Sequence, residues 1–177
     1  MNIFSVIEEK AREANLDYLV IGGHAVNAHG YFRTTLDVDL LVGEEQLPAW
    51  KELLATLGYK WGHESPAFVQ FTEPPGSDGF PIDLMVVDAS TFSRLTSKSV
   101  TKNFGDTPVK IPRILDLIAL KLHALRCVDR ASDGKDLQDV MALVRLDGLK
   151  LSDPEFSAIV QKHASPEIRD ELRRLLN

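Results

Sequence analysis

Asp37 and Asp39, in the run Leu36-Asp-Val-Asp-Leu-Leu-Val42, are the residues of this sequence best suited to chemistry. Alternate residues of a strand point to one face, about 6.5–7 Å apart. Two carboxylates held that way among apolar neighbours are costly unless something cationic sits between them, and a divalent metal ion meets that need. Asp83, in Ile82-Asp-Leu84, is a third carboxylate in apolar surroundings, on a separate strand. Such a triad suits phosphoryl-type transfer, in which metal ions held by carboxylates bridge phosphates and neutralise developing charge. Mg2+ is the expected ion, because it prefers hard oxygen ligands and brings its own waters; Mn2+ is its substitute.

Other residues nearby suit a phosphate. Gly22 and Gly23 lack side chains, so backbone amides at the start of the following helix can approach an anion closely. Arg33 adds a planar, permanently charged set of donors. Thr35, two residues before Asp37, can either donate to a ligand or brace the carboxylate. Each feature alone is commonplace, and their order along the chain is what makes them specific.

These residues need a scaffold, and the patterning supplies one. The spacing of Ile3, Val6, Ile7, Ala11 and Ala14 predicts an amphipathic helix over 3–14. A short buried strand over 17–22 ends at the glycine pair, and one or two helical turns over 25–29 stop at Gly30. A second strand covers 36–42, and a helix over 44–57 closes at Gly58. Strands over 59–63 and 68–72 precede a loop over 73–79, then a strand over 81–87 carrying Asp83. A short helix over 90–95 and strand-and-turn material over 98–111 lead to Pro112, which is expected to open the next helix. Helices are predicted over 113–129, 134–146, 152–163 and 166–176. The expected fold is α/β (α+β): a core over 1–111 with a mixed, twisted sheet flanked by helices, then a C-terminal helical lobe over 112–177. The join has no linker composition, so the lobe is expected to pack directly on the core.

Composition narrows the class. The chain has 177 residues, 44% hydrophobic and 26% charged, and a net charge of −6, which argues against a surface built for general nucleic-acid binding. Between Arg94 and Lys135, however, nine basic residues face four acidic ones. That segment is either a set of solvated helix faces or a surface for a polyanion such as a triphosphate or RNA. No apolar run approaches the roughly 18–20 residues of a membrane span, and the amino terminus, with early acidic residues and no long apolar core, is not expected to be a secretory signal. One cysteine, Cys127, excludes an internal disulfide and a thiolate metal site, and is expected to be buried and inert. A cytoplasmic protein is expected.

The ordered pattern Gly22-Gly23, Arg33-x-Thr35-x-Asp37-x-Asp39 and Ile82-Asp83-Leu84 resembles the DNA polymerase β-type nucleotidyltransferase superfamily. The Arg-x-Thr-x-Asp-x-Asp spacing is similar to that of minimal nucleotidyltransferases grouped with AbiEii-type toxins of type IV toxin–antitoxin systems. Those carry two further motifs on later helices, matched here by Lys121-Leu-His-Ala-Leu and Lys135-Asp136-Leu-Gln-Asp139. Where many members carry Ser at the second turn position, this chain has Gly23, then His24. The resemblance implies a nucleotidyltransferase fold with Asp37, Asp39 and Asp83 as catalytic and metal-binding residues. It also implies that Gly22, Gly23, Arg33, Thr35, Lys121 and Asp136 bind the nucleotide, ATP or another nucleoside triphosphate.

The implied reaction moves a nucleoside monophosphate from a nucleoside triphosphate to an acceptor hydroxyl and releases pyrophosphate. The acceptor is an RNA or tRNA end, a protein or a small molecule, and a toxin–antitoxin partner is expected if that role transfers. The alternative is a catalytically idle nucleotide- or protein-binding module on the same fold. Three costly acids in apolar strands weigh against it. His24 and His29 lie beside the glycine turn, but metal-assisted transfer requires no histidine base. His63, His123 and His163 show no zinc-ligand spacing. Lys135 and Asp139 are expected to be surface or ion-pair residues. Trp50, Trp61 and the phenylalanines are spaced as core residues rather than as a base-stacking platform.

Overall fold

The computed structural model describes residues 2–77, 79–126 and 134–176. Cys127 therefore lies outside the described residues. The chain divides into two compact units, Met1–Ala28 with Phe32–Pro112, and His29–Tyr31 with Arg113–Asn177.

The first unit is built on a five-stranded mixed sheet. Helix α1, Ile3–Glu13, starts at Asn2, whose side chain accepts from the Phe4 N–H, and buries Phe4, Ile7 and Ala11. Strand β1, Leu19–Val20, leads into helix α2, Gly22–His29, then strand β2, Val38–Gly43. A 3-10 turn, Glu44–Gln46, precedes helix α3, Leu47–Thr56, which has Pro48 in its first turn and buries Trp50, Leu53 and Leu54. Strands β3, Lys60–Ser65, β4, Phe68–Thr72, and β5, Ile82–Val87, complete the sheet.

Strand order is β1-β2-β5-β4-β3. Only β2 and β5 run parallel; the β1–β2, β4–β5 and β3–β4 pairs are antiparallel. Helix α4, Ala89–Ser97, is capped by Asp88, which accepts from the Thr91 N–H and from two hydroxyls. Those bonds hold the Asp88 carboxyl below the usual carboxylate range, the Ser90 hydroxyl contributing most. Strands β6, Val100–Phe104, and β7, Thr107–Ile111, form a separate antiparallel hairpin turned at Gly105.

The second unit is helical: α5, Ile114–Ala124, α6, Lys135–Asp147, α7, Pro154–His163, and α8, Pro166–Leu176. Arg113 joins α5 to α7 by bonding both Asp116 and Glu155.

Several boundaries differ from the sequence reading. The glycine pair does not precede a helix but forms its first turn, so α2 begins at Gly22 and β1 shrinks to two residues. Asp37 lies one residue before β2 rather than within it. Pro112 precedes the helix cap Arg113 instead of opening α5. Trp61 is 64% exposed, because β3 is an edge strand; the Lys51 ammonium sits 5.0 Å from its ring centroid.

Candidate functional site

The alternation along β2 and β5 sorts side chains by face. Val38, Leu40, Ile82 and Leu84 are fully buried, while Asp39 and Asp83 take the intervening positions. Parallel pairing sets Asp39 directly opposite Asp83, and directly paired residues project to the same side of a sheet. Asp37, two residues before Asp39, joins them. One carboxylate oxygen from each of the three lies within 4.8 Å of the others. Hard oxygen donors at that spacing are what a Mg2+-sized ion needs. Among the described residues this is the one cluster of ligand-type side chains close enough to hold a metal.

Helix α2 starts against this cluster. Gly22 has φ +59°, and a Cβ there would fall 1.8 Å from Asp39 Oδ2. A Cβ on Gly23 would fall 2.6 Å from Thr35 Oγ1 and 3.0 Å from Arg33 Nη1. The glycines are thus required by what packs against them, which overrides their poor helix propensity. Thr35 Oγ1 donates to Asp37 Oδ1 at 2.9 Å, so of its two sequence-based roles the structure displays the brace. The first unit therefore brings Gly22, Gly23, Arg33, Thr35, Asp37, Asp39 and Asp83 together.

No family model matches the chain, and no curated protein matches it. Solved structures do. The antibiotic-resistance factor ANT(2'')-Ia is similar over 96% of this chain and 90% of its own, with a TM-score of 0.68 and 14% identity. An antigenic nucleotidyltransferase-like protein from Paracoccidioides brasiliensis aligns over 98% and 90%, with a TM-score of 0.59 and 20% identity. The lincosamide antibiotic adenylyltransferase LnuA, solved with lincomycin bound, aligns over 80% and 94%, with a TM-score of 0.59 and 14% identity. The chain has the nucleotidyltransferase fold.

Within that fold His24 is half-buried beside the glycine turn. Its ring packs edge-on to Phe4, with centroids 4.9 Å apart. Burial lowers its pKa and outweighs the opposing pull of the Asp37 carboxylate, so the neutral ring is favoured near pH 7.

Asn27 is a residue the sequence reading missed. Its Nδ2 donates to the Arg33 carbonyl at 2.8 Å, and its Oδ1 accepts from the Arg33 N–H at 2.9 Å. Its position four residues after Gly23, hence on the same helix face, is the signal that could have found it.

The other expected site residues form a group inside the helical unit of the nucleotidyltransferase fold. Lys121 Nζ lies 2.7 Å from Asp136 Oδ1 and 2.7 Å from Asp139 Oδ2. Lys121 is buried and Asp139 fully so, and of the two roles expected for Asp139, surface or ion pair, the structure displays the ion pair. Lys121 and Arg113 are thus engaged in ion pairs, leaving fewer of the basic residues between 94 and 135 for a polyanion. His123 and His163 meet as edge-to-face rings 6.3 Å apart.

Gly22→Ala tests the approach of α2 to Asp39. The left-handed backbone and the overlap with Asp39 Oδ2 should together cost about 2 kcal/mol or more. Thermal melting with and without Mg2+ should show a lower midpoint and a reduced stabilisation by the ion. An alanine variant that melts like wild type and responds equally to Mg2+ would show that the contact is relaxed in solution.

Proposed function

We propose that this protein is a metal-dependent nucleotidyltransferase. It would transfer a nucleoside monophosphate from a nucleoside triphosphate to an acceptor hydroxyl. The observation that carries the reading is the convergence of three carboxylates, Asp39 and Asp83 on two parallel strands and Asp37 just before the first, within 4.8 Å and beside the first turn of α2. An idle binding module has no physical reason to hold three acids so close.

In this reading Asp37, Asp39 and Asp83 would hold Mg2+, which when bound neutralises charge on the phosphates and activates the attacking oxygen. The backbone amides of Gly22 and Gly23 and the Arg33 guanidinium bind and orient the triphosphate. Thr35 keeps Asp37 turned toward the other two acids. The acceptor oxygen bonds to the α-phosphorus as the bond to the bridging oxygen breaks. Pyrophosphate leaves, and Asp83 orients the acceptor and takes its proton.

The acceptor is a hydroxyl of a small molecule, an RNA or tRNA end, or a protein. Likeness to structures of an antibiotic-resistance factor, over 96% of this chain, and of an antibiotic adenylyltransferase, over 80%, supports the first of these. A toxin–antitoxin role rests on the resemblance of the Arg33–Asp39, Lys121 and Asp136 motifs. The reaction belongs in the cytoplasm, where nucleoside triphosphates are supplied.

The test is to incubate the protein with each α-labelled nucleoside triphosphate and Mg2+, together with cell RNA, cell protein or a panel of hydroxylated small molecules including aminoglycosides. An Asp37→Ala/Asp39→Ala variant runs in parallel. Label transfer lost in the variant is the expected result, and the labelled fraction identifies the acceptor class. Label on RNA or protein would fit the toxin-type reading. Equal transfer by the variant would overturn the metal-triad reading. Absence of transfer combined with Mg2+- and nucleotide-dependent thermal stabilisation would favour a binding module.

A further inference from the structure

We infer that Asn27 is a positioning residue for nucleotide binding, acting through Arg33. The inference rests on the transfer reading, in which Arg33 meets the triphosphate.

Residues 31–36, which lead into the acidic cluster, belong to no helix or strand. Their exposure nevertheless alternates. Arg33, Thr35 and Asp37 are half-buried, whereas Phe32, Thr34 and Leu36 are exposed. A slip of one residue in such an extended stretch would exchange the two sets. Arg33, Thr35 and Asp37 would then turn to solvent. Something must hold the register, and apolar packing does not: Phe32 is 84% exposed and Leu36 70%.

Asn27 does hold it. One side-chain amide satisfies both the N–H and the carbonyl of Arg33, at 2.9 and 2.8 Å, as a neighbouring strand would. The clamp fixes the Arg33 backbone relative to α2, the helix whose first turn carries Gly22 and Gly23. From that fixed point the guanidinium reaches to 3.0 Å from the Cβ position of Gly23, beside Thr35 Oγ1. Asparagine is suited to this by its chemistry, since it offers one donor and one acceptor side by side. Aspartate keeps the size but loses the donor, and alanine loses both.

Calorimetric titration with Mg2+ and each of ATP, GTP, CTP and UTP tests the idea on wild type, Asn27→Ala, Asn27→Asp, Arg33→Ala and Asn27→Ala/Arg33→Ala. Loss of the clamp should weaken binding of the preferred nucleotide roughly 10-fold, the scale of one or two net hydrogen bonds. In the Arg33→Ala background, Asn27→Ala should weaken binding clearly less than it does in wild type, because the part of its effect that runs through the guanidinium is already lost. Asn27→Asp, which keeps the size of the side chain, carries the same comparison if the alanine variant folds poorly. Wild-type affinity in both Asn27 variants, or additive losses with Arg33→Ala, would overturn the inference. Binding weakened by Arg33→Ala alone would overturn it while leaving the transfer reading intact. No nucleotide binding by wild type would overturn both.

Discussion

Asp39→Asn is expected to lower Mg2+-dependent nucleotidyl transfer by roughly 10³-fold or more, while making the metal-free protein more resistant to heat. The two effects have one origin. Three carboxylates with oxygens within 4.8 Å repel one another when no cation is bound. Each pair of unit charges at that range interacts by a few kcal/mol at an effective dielectric near 20. Asparagine keeps the shape of Asp39 and removes one charge, and relief of about 1 kcal/mol would raise the melting midpoint by roughly 2–4 °C in a chain of this size. Adding Mg2+ should then stabilise wild type and leave the variant almost unmoved. The decisive measurement is the melting midpoint of both proteins across a Mg2+ series, with transfer assayed alongside. A variant that melts lower without metal and still gains stability from Mg2+ would mean that Asp39 is a structural group.

Lys121→Met is expected to be the most damaging single change to stability. Its ammonium lies 2.7 Å from each of two carboxylates, and one of these, Asp139, is fully buried. Removing the cation leaves two acids facing each other, Asp139 wholly out of water and Asp136 half-buried, and breaking a buried ion pair on one side costs about 3–5 kcal/mol. Replacing the whole group by Lys121→Met/Asp136→Asn/Asp139→Asn should recover most of that loss, because the cost lies in the stranded charges. Denaturant unfolding of the single and triple variants measures both numbers. A single variant within 1 kcal/mol of wild type would show that Lys121 is not needed for stability, and would return it to the phosphate role implied by the resemblance.

Much of the candidate site was legible because it breaks local rules. Acids at alternate positions of an apolar strand are costly, and that cost shows in the sequence without any fold. The helix and strand order was legible for a related reason, since hydrophobic periods of 2 and 3.6 are local properties. Features decided by distant packing were not. The glycine pair reads as a turn, because glycine disfavours helix, yet Asp39 and Thr35 press so close that a Cβ at either position would overlap them. Trp61 and Phe32 read as core, because aromatic residues usually are; an edge strand and an irregular segment leave both in solvent. Asn27 shares a helix face with Gly23, but a mid-helix amide is unremarkable until its partner backbone is known.

The sequence by itself determined which groups could do chemistry: three acids, a glycine pair, one arginine and a threonine two residues before the first acid. It also determined, through period-2 patterning, that Asp37 and Asp39 share a face. Only the tertiary structure decided that Asp83 stands directly opposite Asp39, because strand register across 44 residues of chain is a non-local choice. It likewise decided that Lys121 lies between Asp136 and Asp139, a pairing that no local pattern encodes. Local chemistry is written residue by residue, whereas proximity exists only once the chain has closed on itself.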